Sequence, residues 1–180
     1  MKRNVLVFGV ISGLIATVTM LISMEIVINN PQYHGSMWVG YGSMIVAFSL
    51  IFVGIKNLRD KFNNGFITFG KAFKTGLLIA IIGSTMYVIG WMIDYYCFHP
   101  DFMQLYTASV LSNAKASGAD AAEMARQQAQ MASYTQMYKN PLMLAVLTYM
   151  EILPVGIVIA LTAALILKRK PESGRAVAVA

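Results

Sequence analysis

At 180 residues the chain has room for one domain, and its 57% hydrophobic and 12% charged residues exclude an ordinary water-soluble core, which carries roughly 25% charge. A net charge of +6 raises nucleic acid as a partner. Yet eleven of the fourteen Lys and Arg fall at the N-terminus (Lys2, Arg3), between two apolar runs (Lys56, Arg59, Lys61, Lys71, Lys74) and in the tail (Lys168, Arg169, Lys170, Arg175), the positive-inside pattern of a membrane protein rather than a nucleic-acid patch.

The first apolar run, from about Val5 to Ile28, is too long for the h-region of a signal peptide and has no clear cleavage site, so it is read as a retained span. Its Gly9 and Gly13 form a GxxxG pair that lets another helix approach closely, within one bundle or between copies. Asn29-Asn30-Pro31 predicts a turn into a short outer loop without Lys or Arg. Span two is expected over residues 36–55, with Trp38 and Tyr41 placed for an outer aromatic belt. Span three is expected over 75–98, with Gly76, Ala80 and Ser84 as a small-residue seam and Trp91, Tyr95 and Tyr96 at its outer end.

The stretch 101–140 is too polar to span. Phe102, Leu105, Tyr106 and Val110 recur at helical spacing, Gly118 breaks the pattern, and Asp120 with Glu123 resembles a capping box. This predicts an outer helical hairpin whose Met124, Met131, Tyr134 and Tyr138 make a packing face. Asn140-Pro141 opens span four, expected over 142–167, in which Pro154 lacks an amide for the carbonyl of Met150 and predicts a kink. The tail 171–180 reads as disordered. The fold class is therefore an all-α, four-transmembrane-helix bundle with an extracytoplasmic helical insert between spans three and four, in one domain over 1–180. The chain is expected to be a multi-pass protein of the cell inner membrane with both termini in the cytoplasm.

Between spans two and three lies Lys56–Gly76, with five basic residues and one acid, Asp60. Phe62, Phe66, Phe69 and Phe73 step by four, three and four, one face of a helix, with Gly70, Lys71 and Lys74 among them. This predicts a basic amphipathic loop over 56–74 lying in the inner headgroup layer. Within it, Ile67-Thr68-Phe69-Gly70-Lys71-Ala72-Phe73-Lys74-Thr75-Gly76 resembles the hallmark of the DUF4199 family, small membrane proteins found mostly in Bacteroidota. The resemblance extends to the basic-ended first span, the polar insert and Glu151-Ile152-Leu153-Pro154-Val155-Gly156 before a basic tail. It implies a membrane fold and, the family having no established activity, no catalytic residue.

The chain has no GxSxG, HExxH, Walker or CxxC pattern, which points away from an enzyme and from a cofactor or metal. One cysteine, Cys97, excludes an internal disulfide, and His34 and His99 fall in outer loops, where a shared metal site with Met103 or Cys97 is conceivable. Three acids, Glu25, Asp94 and Glu151, lie within or at the edge of apolar runs. At 1.5 Å per residue they stand about 30, 30 and 26 Å from the inner ends of their helices, near the outer boundary of the hydrocarbon. They either face outer water and accept hydrogen bonds from Tyr33, Tyr95, Tyr96 or Trp38, or converge into a ring that binds a cation or exchanges protons. Three function readings follow: a non-enzymatic accessory or scaffold protein, a small proton- or cation-coupled transporter or channel subunit, and, last, an intramembrane enzyme. The expected partners are the lipid bilayer and a second copy or another membrane protein.

Overall fold

The computed structural model describes residues 2–29 and 37–169. The expected turn at Asn30-Pro31, with Tyr33 and His34, the start of span two at Ser36 and the tail 171–180 lie outside the described residues. Among the described residues the chain is all helical: α1 (Lys2–Asn29), α2 (Met37–Phe48), α3 (Leu50–Phe62), α4 (Phe69–Ile93), α5 (Phe102–Ala116), α6 (Ala121–Tyr138) and α7 (Pro141–Leu167), with a π-helical turn over Asp94–Phe98 continuing α4. Four stretches of 25, 25, 30 and 27 residues are long and apolar enough to cross a bilayer: α1, α2 with α3, α4 with the π turn, and α7. Between α2 and α3 the break is slight. The Ser49 amide still donates to Ile45 O at 2.9 Å, and the Ser49 hydroxyl donates to Val46 O at 2.6 Å.

The bundle is built around α4, which packs on α1 along one side and on α7 along another. Small residues make both approaches close. A Cβ on Gly9 would lie 2.8 Å from Ile82 Cβ, and one on Gly13 would lie 2.8 Å from Met86 Cβ, so this GxxxG pair faces α4 of the same chain. On the α7 side a Cβ on Gly76 would meet Ala160 Cβ at 2.9 Å, and one on Gly156 would meet Ala80 Cβ at 2.8 Å. Without a hydrophobic difference between lipid and protein, this interlocking contact supplies the attraction between spans. Ser84 is fully buried one turn further along α4. Polar contacts also cross between the spans: Asn4 Nδ2 donates to Gly54 O at 2.8 Å, Asn57 Nδ2 to Asn4 Oδ1 at 2.5 Å, and Ser12 Oγ to Ala47 O at 2.8 Å, while the buried Thr17 and Ser84 hydroxyls have no hydrogen-bond partner among the described residues. The outward faces carry Leu14, Val18, Ile22, Val158 and Ile166, all exposed, as a lipid-facing surface requires.

The basic stretch differs from its expectation. It is not one amphipathic helix: α3 carries Lys56, Arg59 and Lys61 onward to Phe62, and α4 already begins at Phe69. Only residues 63–68 form the connection, so Phe62, Phe66, Phe69 and Phe73 belong to three different elements. The reason lies in Asn63-Asn64-Gly65, where Asn64 (φ 52°) and Gly65 (φ 82°) take the left-handed turn conformation that ends a helix. Thr68 then starts the next helix, its side chain accepting from the Lys71 amide at 3.4 Å. Long basic side chains do not end an apolar helix, because their stems stay with the apolar surface while their charges reach water. Ile67 and Arg169 exchange both backbone hydrogen bonds, at 3.0 and 2.9 Å, which ties this turn to the end of α7. Arg169 also lies over the Phe66 ring, 6.0 Å from its centre.

At the opposite end α5 and α6 form the cap. Gly118 (φ 78°) ends α5, with the Ala119 amide bonded to Ala114 O at 3.0 Å. Asp120 accepts from the Glu123 amide at 2.8 Å to start α6. Asn140 accepts from the Leu142 amide at 2.9 Å and Pro141 occupies the first turn of α7. Pro154 lies inside α7, which continues as helix on either side of it.

Candidate functional site

The cap end of the bundle holds the acids singled out in the sequence. In the π turn the His99 amide donates to Asp94 O at 2.9 Å, the i→i+5 bond that brings residues five apart over one another. His99 Nδ1 therefore lies 3.0 Å from Asp94 Oδ2. This distance is a hydrogen bond, in which the ring nitrogen is the donor to an ionised carboxylate. The other ring nitrogen, Nε2, stands 3.7 Å from Glu25 Oε1 of α1. Asp94 is buried, 5% exposed, and Glu25 is open to solvent, its side chain 60% exposed. One histidine thus joins the end of α1 to the end of α4.

Glu151 sits elsewhere, on a cleft of about 390 Å³ between the spans and the cap, within the range of small-molecule sites. Met20 and Met24 of α1 and Tyr87 and Trp91 of α4 form one wall. Phe102, Met103 and Tyr106 of α5, with Tyr134 and Tyr138 of α6, roof it, and Leu147, Thr148 and Glu151 of α7 close the third side. Trp91 meets Phe102 edge to face with ring centres 5.0 Å apart, and Phe102 stacks on Tyr106 at 5.7 Å. Burial, with the Glu151 carboxylate second, pushes the Tyr138 hydroxyl up to about 12, so it stays a neutral donor. Glu151 is the one charged group on this lining. It makes no hydrogen bond or ion pair among the described residues.

The structure therefore brings Glu25 and Asp94 onto one histidine and sets Glu151 on the aromatic cleft. Among the described residues no three His, Cys, Asp or Glu side chains come close enough to hold a metal ion. Trp38 is 89% exposed and Cys97 is exposed. Met20, Met24 and Tyr87 carried no site reading in the sequence; Trp91 stood there only as an outer aromatic and His99 only as a conceivable metal ligand, and no residue pattern joined His99 to Asp94. The Met and Tyr repeat of the insert divides: Met131 is buried, while Tyr134 and Tyr138 line the cleft.

A family model described as a protein of unknown function, DUF4199, matches residues 7–169. No curated protein and no solved structure matches the chain.

Proposed function

Because the chain belongs to the DUF4199 family, whose description assigns no activity, we propose from its own geometry that it is a non-enzymatic accessory protein of the cell inner membrane, binding at the cleft beneath its cap. Both termini and the turn at 63–68 are then cytoplasmic, and the cap lies outside; the clustering of Lys and Arg at that one end supports this orientation. A topology test uses the Cys97→Ser background with single cysteines at Ser117 in the cap and Asn64 in the turn. An impermeant maleimide added to intact cells is expected to label position 117 and to reach position 64 only after lysis. The reverse pattern would invert the orientation.

The observation that carries the accessory reading is the filled interior. From the cleft toward the basic end, Phe48, Ile51, Ile55, Ile79, Ile152 and Ala160 are fully buried against one another, so a single copy is plugged by side chains at close packing. Purified protein in vesicles carrying a pH-sensitive dye is expected to give no proton or cation flux above empty vesicles under an imposed potential. A second reading, a proton- or cation-coupled transporter or channel subunit, draws on the placement of His99 between the two acids Glu25 and Asp94. Flux that disappears in Glu25→Gln, Asp94→Asn and Glu151→Gln would replace the first reading with the second.

A further inference from the structure

We propose that the cleft between the spans and the cap binds an organic ammonium group carried on an apolar body, with the positive charge against Glu151 and the body against the surrounding rings. This rests on the reading of the cleft as the binding element. The chemistry of the walls selects the ligand. Tyr87 and Trp91 come from α4, Phe102 and Tyr106 from α5, and Tyr134 and Tyr138 from α6, so aromatic surface meets the cleft from three helices. The negative face of an aromatic ring attracts a cation, most strongly when water is excluded. The one charge on the lining is a carboxylate, and no Lys or Arg borders it.

Other ligand classes fit worse. An anion would meet Glu151 with like charge. A wholly apolar molecule would cover Glu151 without a partner, and a buried unpaired carboxylate is costly. A metal ion would find a single carboxylate and soft thioethers, with no group of three ligands among the described residues. An ammonium satisfies Glu151 and the rings together. Met20, Met24 and Met103 add flexible, polarizable surface that adapts to the apolar body. The ammonium can belong to a free hydrophobic amine or to the headgroup of an aminophospholipid, since the cleft lies at the boundary between spans and cap.

The chain has two tryptophans, so in the Trp38→Phe background Trp91 reports from the cleft wall. The full chain is placed in nanodiscs of phosphatidylglycerol alone and titrated with benzyltrimethylammonium, with phenylacetate and benzyl alcohol in parallel. The expected result is a saturable change in Trp91 emission with the cation alone. Glu151→Gln is expected to raise the apparent Kd at least tenfold, and Tyr106→Ala, a half-exposed cap residue whose loss leaves the bundle core intact, at least threefold. Adding phosphatidylethanolamine raises the apparent Kd if the lipid headgroup is the natural source and leaves it unchanged if the source is a free amine. Both outcomes fit an ammonium site. No saturable change, or an equal response to phenylacetate, or a response indifferent to both substitutions in folded protein would overturn the inference. Vesicles that remain silent for flux in that case would leave the accessory reading standing.

Discussion

Gly156→Leu is expected to separate α7 from α4 and to cost about 3 kcal/mol, which for a chain of this size lowers the unfolding midpoint in detergent by roughly 6–12 °C. The leucine would have to enter a space where even a Cβ stands 2.8 Å from Ala80 Cβ and 3.3 Å from the Phe48 ring. Neither neighbour can yield cheaply, because Ala80 is part of the opposing helix wall and Phe48 is fully buried. The decisive comparison is the milder exchange Gly156→Ala with Ala80→Gly. Alone, Gly156→Ala destabilises by crowding. Together the two substitutions conserve the seam's volume and its number of helical glycines, so propensity effects cancel and most of the midpoint returns. If the pair behaves as the sum of its singles, the seam is not where these spans are held.

His99→Leu is the second large effect, about 3 kcal/mol in denaturant unfolding. It removes the donor from Asp94, which is 5% exposed, and the neighbour from Glu25. The size of the loss comes from stranding a buried carboxylate, rather than from the worth of the bond itself. The double change Asp94→Leu with His99→Leu replaces both partners by apolar groups and is expected to be more stable than His99→Leu alone. A double variant as unstable as the single would mean that His99 matters for its packing and that Asp94 is indifferent to it.

The four spans were readable from the sequence because each is a long apolar run bounded by turn residues or basic residues. Their ends were less so. Lys56, Arg59 and Lys61 suggested that span two stops at residue 55, yet its helix runs on to Phe62, since the apolar stems of basic side chains continue a helix while their charges reach water. The same error made one helix face of Phe62, Phe66, Phe69 and Phe73. The stronger signal was Asn63-Asn64-Gly65, whose left-handed turn overrides the spacing.

The pairing of Asp94 with His99 was hidden for a different reason. At 100° per residue, positions five apart lie about 140° around an α-helix, on different faces. Only the π turn aligns them, and no residue pattern announced it. The cleft was partly visible. Glu151 stood out as an acid in an apolar run, but its aromatic surroundings come from α4, α5 and α6, which meet only when the cap folds back onto the spans.

The α4–α7 seam also orders events at the ribosome. Gly76 and Ala80 are synthesised about 80 residues before Ala160 and Gly156, the residues that cover them. At about 5–20 residues per second, α4 waits roughly 4 to 16 seconds in the nascent chain with its small-residue face against lipid. During that interval α1 is already available for its own side of α4, so the α1–α4 contact can form before α7 exists, and the α4–α7 seam only after it. The exchange bonds of Ile67 with Arg169 close after that, as the final link between the first half of the chain and its end.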